Sequence, residues 1–209
     1  MKLIVVSPSG QNDAELPHLF KMLERGLQTY HISKPKFSTR ELRDFISQIP
    51  EKYHNRLVIH SHHELVMKFN LKGIHLSGIH KKRKFSSWLR RRWWKLFNNQ
   101  LLFSTSYKSI DPLLFNDKKY DYVFLSPVFD SLSGNFQAGF FEYNLRYALN
   151  NSKQFTVARG GVSADNLQLA SELGFDGVAF YSSIWKTPNP FQEFLKVQEK
   201  FIELKIPIE

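Results

Sequence analysis

Short apolar runs alternate with amphipathic stretches along the whole chain. Runs such as 3–7 (LIVVS), 56–60 (RLVIH) and 101–106 (LLFSTS) have the length and composition of buried strands. The stretches between them, for example 191–204, repeat apolar residues three or four positions apart, as on one face of a helix. The pattern therefore predicts a repeating strand–helix unit.

Eight such units follow one another at roughly even spacing. The predicted strands are 3–7, 29–33, 56–60, 72–77, 101–106, 121–129 (with its exit loop), 155–159 and 175–184. Asp13 begins the first predicted helix, and Thr39 and Ser163 are expected to cap two later ones. Parallel strands joined by helices pair through right-handed crossovers, and eight units in about 200 residues predict an α/β fold, a single (β/α)8 TIM barrel over residues 1–209. A doubly wound open sheet is the alternative.

Composition narrows the class of protein. The chain has 209 residues, 42% of them hydrophobic, which is enough for a real core. It contains no cysteine, so disulfides and thiolate metal sites are excluded. No apolar run reaches the length of a membrane span, and the first ten residues turn polar too soon for a signal peptide, so we expect a cytoplasmic protein. The formal net charge of +10 indicates anionic partners.

A basic, tryptophan-rich segment, 81–97, follows the fourth predicted strand. It carries eight lysines and arginines and no acidic residue. The favoured interpretation is the fourth helix of the barrel, docked by its apolar face. The alternatives are a lid over a phosphorylated substrate, a contact with a membrane surface or another subunit, and nucleic-acid binding. Nucleic acid is not an expected partner, and a homo-oligomer is left open.

Glycines and small hydroxyl residues follow the last two predicted strands. Gly160 and Gly161 precede a helix, and Ser182 and Ser183 follow strand eight. A helix N-terminus after a glycine turn presents free N–H groups and a positive dipole, which suit a phosphate. Because loops seven and eight of a TIM barrel commonly hold phosphate, the sequence predicts a phosphate site here.

Three histidines and a lysine lie at other strand ends. His31, His60 and His75 are expected to converge on one barrel mouth, either as binding residues or as hydrogen-bonding core residues. Lys34 is the cation that comes directly after a strand and is expected to meet a diphosphate as a point charge. Ser104 and Ser126 also lie at this edge.

Several segments resemble the thiamine phosphate synthase and thiazole tautomerase family. They are YHISKP (30–35), KGIHLSG (72–78), DYVFLSPVFDSLS (121–133), VARGGVSADN (157–166) and GFDGVAFYSSIW (174–185). The resemblance implies a (β/α)8 barrel that joins an aminopyrimidine diphosphate to a thiazole phosphate and releases pyrophosphate. It also implies magnesium as the cofactor and phosphorylated small molecules as partners.

The resemblance assigns roles residue by residue. The candidate catalytic residues are Lys34, His31 and Ser126, of which the first two fall in the segment that meets the pyrimidine and its diphosphate. The candidate substrate-binding residues that match the family are Ser133, Gly160, Gly161, Ser182 and Ser183. His60 and Ser104, from the strand ends, and Arg159, from the VARGGVSADN segment, are further candidates without a role matched to the family. The two glycines and the last two serines match the family's thiazole-phosphate loops, and Ser133 matches a hydroxyl residue that meets the diphosphate.

The sequence departs from the family pattern at the metal positions. His60 and Ser61 stand where the family has Asn-Asp, and SGIHKK (77–82) stands where a second acidic residue is expected. Ser33 replaces the usual arginine, and Ser106 replaces the histidine of the tautomerase branch. We therefore predict no metal ligand, and the alternative function is a diverged member without synthase activity, either tautomerase-like or a phosphometabolite-binding module.

Overall fold

The strands close into one parallel barrel. A computed structural model describes residues 1–76, 94–95, 98–115, 119–130 and 140–209. The strands follow chain order around the barrel, and β8 closes it by pairing with β1. Their bounds are β1 Lys2–Val6, β2 Tyr30–Ile32, β3 Leu57–Ile59, β4 Gly73–Leu76, β5 Leu102–Tyr107, β6 Tyr122–Leu125, β7 Thr156–Arg159 and β8 Gly177–Phe180. The predicted (β/α)8 barrel is confirmed, and the open-sheet alternative is wrong.

Helices connect the strands on the outside. Those described are Glu15–Glu24, Thr39–Ser47, Leu65–Lys68, Asp111–Phe115, Glu142–Asn151, Leu167–Leu173, Ser182–Trp185 and Pro190–Glu203, with a 3-10 helix at Glu51–Arg56. The second helix is capped by Ser38 and not by Thr39, because the Ser38 side chain and Glu41 form a reciprocal capping box. The last helix begins as its sequence indicates, with Pro190 in the first turn and Asn189 as the cap.

Two apolar clusters stabilise the barrel. The larger cluster lies between the strands and the surrounding helices. The smaller one contains Ile4 and Val6 of β1, Tyr122 and Phe124 of β6, and Val157 and Ala179. Since side chains alternate along a strand, this second set lies inside the barrel. The interior is apolar where β7, β8 and β1 meet and carries histidines and serines on β2 to β5.

The basic segment falls mostly outside the described residues. Within it, Trp94 is buried and its ring stacks on Phe103, with 6.4 Å between the ring centroids. The remaining predictions for 81–97 therefore stay predictions. Among the described residues, no helix combines the length and apolar character needed to cross a membrane.

Candidate active site

The turn after β7 requires both of its glycines. Gly160 and Gly161 have φ angles of +88° and +65°, which side chains rarely adopt. A Cβ on Gly160 would come within 2.9 Å of Pro127, and one on Gly161 would overlap the carbonyl oxygen of Asp130. The glycines thus let the loop after β6 pack against this turn. The sequence alone predicts a different reason for them, the close approach of a ligand. This packing brings Ser126 beside Gly160.

Asn166 holds the same turn together. Its amide donates to the Gly161 carbonyl at 2.7 Å and its Oδ1 accepts a hydrogen bond from the Ser163 backbone N–H at 2.9 Å. The predicted cap at Ser163 is wrong, because the helix begins only at Leu167, with Asn166 at its N-cap. The asparagine side chain satisfies the backbone groups of the turn instead.

Ser182 and Ser183 open a short helix. The sequence places them at the end of strand eight, but β8 ends at Phe180 and the serines start the helix Ser182–Trp185. The Ser183 hydroxyl donates to the Val162 carbonyl at 2.7 Å, which joins the turns after β7 and β8. We call Gly160, Gly161, Ser182 and Ser183 the glycine–serine side. The first N–H groups of a helix have no partner within it, so this side offers free donors.

Lys186 lies in a cleft beside these turns. The cleft is lined by Ser163, Asp165, Ser182 and Ser183 as well as by Lys186. Sequence reasoning missed this lysine, because no spacing rule links a residue three positions after a serine pair to the turn after the preceding strand.

Lys34 lies between two helices. Its Nζ donates to the Gly10 carbonyl at 2.7 Å and forms an ion pair with Glu15, and the side chains of both partners are almost completely buried. It also lies over the rings of Phe37 and Phe45. Glu15 receives a second hydrogen bond from Tyr30, so the lysine charge is already matched inside the protein. The predicted contact with a diphosphate stays a prediction.

The structure brings His31, His60 and His75 together. His60 and His75 stack with ring centroids 4.2 Å apart, and His31 Nδ1 lies 2.9 Å from His60 Nε2. His31 and His75 both contact the ring of Phe124 on the opposite side of the barrel, at 4.9 and 5.2 Å between centroids. We call the three histidines, with Ser104 and Ser106, the histidine side. Its members come from β2, β3, β4 and β5.

A chain of hydrogen bonds runs through the histidine side. His75 contacts Ser106 and Ser104 through its two ring nitrogens, at 3.0 and 2.9 Å. The hydroxyl of Tyr122 lies 2.6 Å from His31 Nε2, and Ser104 opposes the rise in the pKa of Tyr122 that burial causes. His31 then reaches His60, whose Nδ1 has no partner among the described residues. If Tyr122 donates to His31, His31 must donate to His60, which leaves the neutral His60 with a free Nδ1–H.

Burial keeps two of these histidines neutral at pH 7. Burial lowers the pKa of His31 well below its usual range, and the nearby charges of His75, Arg159, Lys72 and Lys2 lower it further. Burial likewise lowers the pKa of His60, helped by the same neighbouring histidines, by Arg159 and by His63. Two neutral rings and a buried tyrosine can direct hydrogen bonds without adding charge.

Arg159 supplies the charge at this end of the barrel. It is the last residue of β7 and is half-buried, with its guanidinium 5.6 Å from the centroid of the Phe124 ring. That ring also contacts His31 and His75, so all three groups share one neighbour. No described residue accepts a hydrogen bond from the guanidinium or pairs with it. Burial lowers the pKa of Arg159, and only Tyr181 opposes this shift.

The described residues do not fit magnesium. Mg²⁺ needs hard oxygen ligands, usually with one or two carboxylates. His60 and Ser61 follow β3 instead, and although the Ser61 hydroxyl is buried without a partner among the described residues, it is neutral. The stretches 77–93 and 131–139, outside the described residues, contain no aspartate or glutamate in their sequence. The magnesium that the family implies therefore lacks its carboxylates at these positions.

The three histidines form the one group among the described residues that could hold another metal. One nitrogen of each lies within 4.8 Å of the others, and imidazoles suit zinc and similar ions. Both nitrogens of His31 and of His75 already have partners, however. The positive charge of Arg159 acts on the same rings and opposes a cation.

The remaining predicted residues divide into two groups. Arg159, Ser126 and the glycine–serine side come together around the turn after β7, whereas His31, His60 and Ser104 belong to the histidine side. Ser133 lies outside the described residues. Tyr122 was missed, because its sequence context is that of an ordinary core residue in a strand.

The fold and the arrangement of strand ends place the chain among the (β/α)8-barrel proteins. A family model described as thiamine monophosphate synthase matches residues 3–184, and the chain belongs to that family. No curated protein matches the sequence.

Solved structures agree with the family. Thiamine phosphate pyrophosphorylase from Bacteroides thetaiotaomicron is 27% identical over 99% of this chain and 100% of that chain, with a TM-score of 0.77. Thiamine phosphate pyrophosphorylase from Pyrococcus furiosus is 19% identical over 97% and 96%, with a TM-score of 0.74. A 3-hexulose-6-phosphate synthase, 13% identical over 96% and 99% with a TM-score of 0.66, shares the fold.

Proposed function

We propose that this protein is a thiamine phosphate synthase-like transferase. It joins an aminopyrimidine diphosphate to a thiazole phosphate. The carbon–oxygen bond to the diphosphate breaks, and pyrophosphate leaves with the electron pair. The thiazole nitrogen then donates its lone pair to the pyrimidine methylene carbon, so the step needs no redox partner.

One observation carries the proposal. The glycine–serine side, Ser126 and Arg159 meet where β6, β7 and β8 end, and the family places its substrates at this end of the barrel. The free N–H groups there suit the thiazole phosphate. The protein's contribution is to hold the two reactants in line and to stabilise the departing charge.

The direct test is release of pyrophosphate from the two substrates, measured with and without magnesium. Ser182→Asp should abolish release, because a carboxylate at the first turn of the helix repels the thiazole phosphate. Ser47→Asp, at an exposed position on another helix, adds the same charge and should change nothing. Undiminished release by Ser182→Asp would contradict the assignment of this side.

A second candidate is a phosphometabolite-binding member without turnover. The replacement of the Asn-Asp pair by His60 and Ser61 favours it. It predicts that thiamine phosphate raises the melting temperature while no pyrophosphate is released under any condition. Release of pyrophosphate would rule this candidate out.

A further inference from the structure

We propose that Arg159, together with His60, forms a binding site for a phosphoryl oxyanion that works without a divalent metal. The inference rests on the proposed function, in which a diphosphate must be held and released. In this proposal Arg159 holds the diphosphate charge that magnesium holds elsewhere in the family, since the carboxylates for magnesium are missing.

Arg159 carries a positive charge that no described residue matches. Two other cations that lie away from solvent have carboxylate or carbonyl partners: Lys34 has Glu15, and Arg56 has two carbonyl groups. Within the described part of the chain, the half-buried guanidinium of Arg159 lies over the face of Phe124 and has no carboxylate or carbonyl partner. A buried charge without a partner is costly, and an anionic ligand that pairs with it removes this cost.

The guanidinium of Arg159 has donors that suit a phosphoryl group. Arginine presents a planar set of donors that matches two oxygens of a phosphoryl group. Arg159 also directly precedes the Gly160–Gly161 turn, so its backbone is held by the loop after β6 through the bond from Val128 N–H to the Arg159 carbonyl at 3.1 Å. The donor set is therefore attached to a rigid part of the barrel.

Nδ1 of His60 can serve as a second hydrogen-bond donor. The hydrogen bonds from Tyr122 through His31 to His60 have two self-consistent directions, which end with Nδ1 of His60 as a donor or as an acceptor. His60 stacks on His75, which shares the Phe124 ring with Arg159, and the positive charge of Arg159 acts on the His60 ring. An anion beside Arg159 therefore favours the direction that ends in a donor. The histidine side thereby adds a neutral N–H to the charge of Arg159.

Few carboxylates are available to compete with an anionic ligand for Arg159. His60 and Ser61 follow β3, and stretches 77–93 and 131–139 carry no acidic residue in sequence, so no carboxylate from these stretches can neutralise the arginine. Among the described residues no carboxylate pairs with Arg159 either, so none of them competes with an anion for this cation.

The test is calorimetric titration of the full chain with inorganic pyrophosphate in the presence of EDTA. We expect binding by the wild type and a loss of affinity of about 10- to 100-fold in Arg159→Gln, the range of a charge-assisted hydrogen-bond pair. Arg159→Lys keeps the charge but not the fork and should lose less. Arg146→Gln removes an exposed arginine on the helix Glu142–Asn151 and is the matched control, expected to bind as the wild type does.

His60→Phe tests the second donor. The phenyl ring preserves the stacking on His75 and removes the N–H, so we expect a loss of about 3- to 10-fold. Melting temperatures of all variants check that they fold. Parallel titration with inorganic phosphate shows whether the site takes one phosphoryl group or the diphosphate.

Two results would overturn the inference. One is binding that appears only with added Mg²⁺ or Zn²⁺, the latter pointing to a metal on the three histidines. The other is equal affinity in wild type and in folded Arg159→Gln. Failure of the proposed function has a different signature: pyrophosphate binds in EDTA and depends on Arg159, but no substrate pair releases it.

Discussion

The two sides of the barrel mouth are built in different ways. The glycine–serine side consists of the turns after two adjacent strands, and its hydrogen bonds run from side chains to backbone carbonyls: the Ser183 hydroxyl donates to Val162, and the Asn166 amide donates to Gly161. The histidine side consists of side chains from four strands that are up to 75 residues apart along the chain, from His31 to Ser106. Backbone carbonyls are present whatever the side chain, whereas a network made only of side chains changes its chemistry with each substitution.

This difference explains where the chain keeps its family's pattern and where it departs. The turns after β7 and β8 resemble the family motifs: the packing of the loop after β6 requires the two glycines, and the Ser183 hydroxyl joins the two turns. The departures, His60 and Ser61 above all, lie on or beside the histidine side. Chemistry can therefore be exchanged on that side while the barrel and the other turns remain unchanged.

The largest expected effect concerns Lys34, the buried cation that follows β2. Lys34→Met leaves Glu15 buried without its ion pair, so we expect the free energy of unfolding to fall by about 3–5 kcal/mol. Urea denaturation measures it. Lys196→Met, which breaks an exposed pair with Glu193, should cost less than about 1 kcal/mol. A small loss of stability in Lys34→Met, combined with weaker pyrophosphate binding, would instead support the predicted contact of Lys34 with the diphosphate.

The next effect tests the packing of the glycine–serine side. Gly161→Ala combines a positive φ with an overlap against the Asp130 carbonyl, so we expect a loss of about 3 kcal/mol in urea denaturation. Gly26→Ala is the control, because Gly26 also has a positive φ (+103°) but has nothing within 4 Å of the added Cβ. That variant should lose about 1–2 kcal/mol. Equal losses would mean that loop packing does not require Gly161.

The pH dependence of stability belongs to the histidine side. The folded-state pKa values of His31 and His60 lie below the unfolded value of about 6.5, so below that pH the unfolded chain binds more protons. Stability contributed by the neutral rings is thus complete above about pH 6.5 and is lost as the pH falls towards the folded-state values. We expect the melting temperature to fall by at least about 3 °C between pH 7.5 and pH 5.

The double variant His31→Gln, His60→Asn removes both titrating groups. Its melting temperature should depend less on pH over the same range, while other groups continue to contribute. An unchanged slope would show that these two histidines are not neutral in the folded protein.

The smallest expected effect tests the link between the two turns. Ser183→Ala removes one neutral hydrogen bond to the Val162 carbonyl and should cost about 1 kcal/mol of unfolding free energy. Ser182→Ala, next to it in the same short helix, removes a hydroxyl for which the structure shows no hydrogen bond to a described residue, and should cost less than about 0.5 kcal/mol. Equal costs would mean that the Ser183 bond does not hold the turns together.

Local patterns in the sequence were sufficient for the barrel and for the position of the glycine–serine side. Strand spacing, a glycine pair and a serine pair are properties of short segments, and the rule that loops seven and eight meet at one barrel edge joins them. Errors there were of a few residues, at Thr39, Ser163 and the end of β8, because capping depends on which of several neighbouring polar side chains reaches the backbone.

The contacts of the histidine side, of Lys34 and of Arg159 depend on how the closed barrel packs and could not be predicted from the sequence. The sequence indicated that three histidines share a barrel mouth, but their hydrogen bonds, the neutrality of His31 and His60 and the role of Tyr122 follow from burial and from contacts between distant strands. Lys34 shows the same limit, since its charge is matched by Glu15 from another helix. Arg159 gains its importance because no carboxylate among the described residues reaches it. Which charges find partners is a property of the packed molecule, because Coulomb and desolvation energies depend on distance and burial and not on order along the chain.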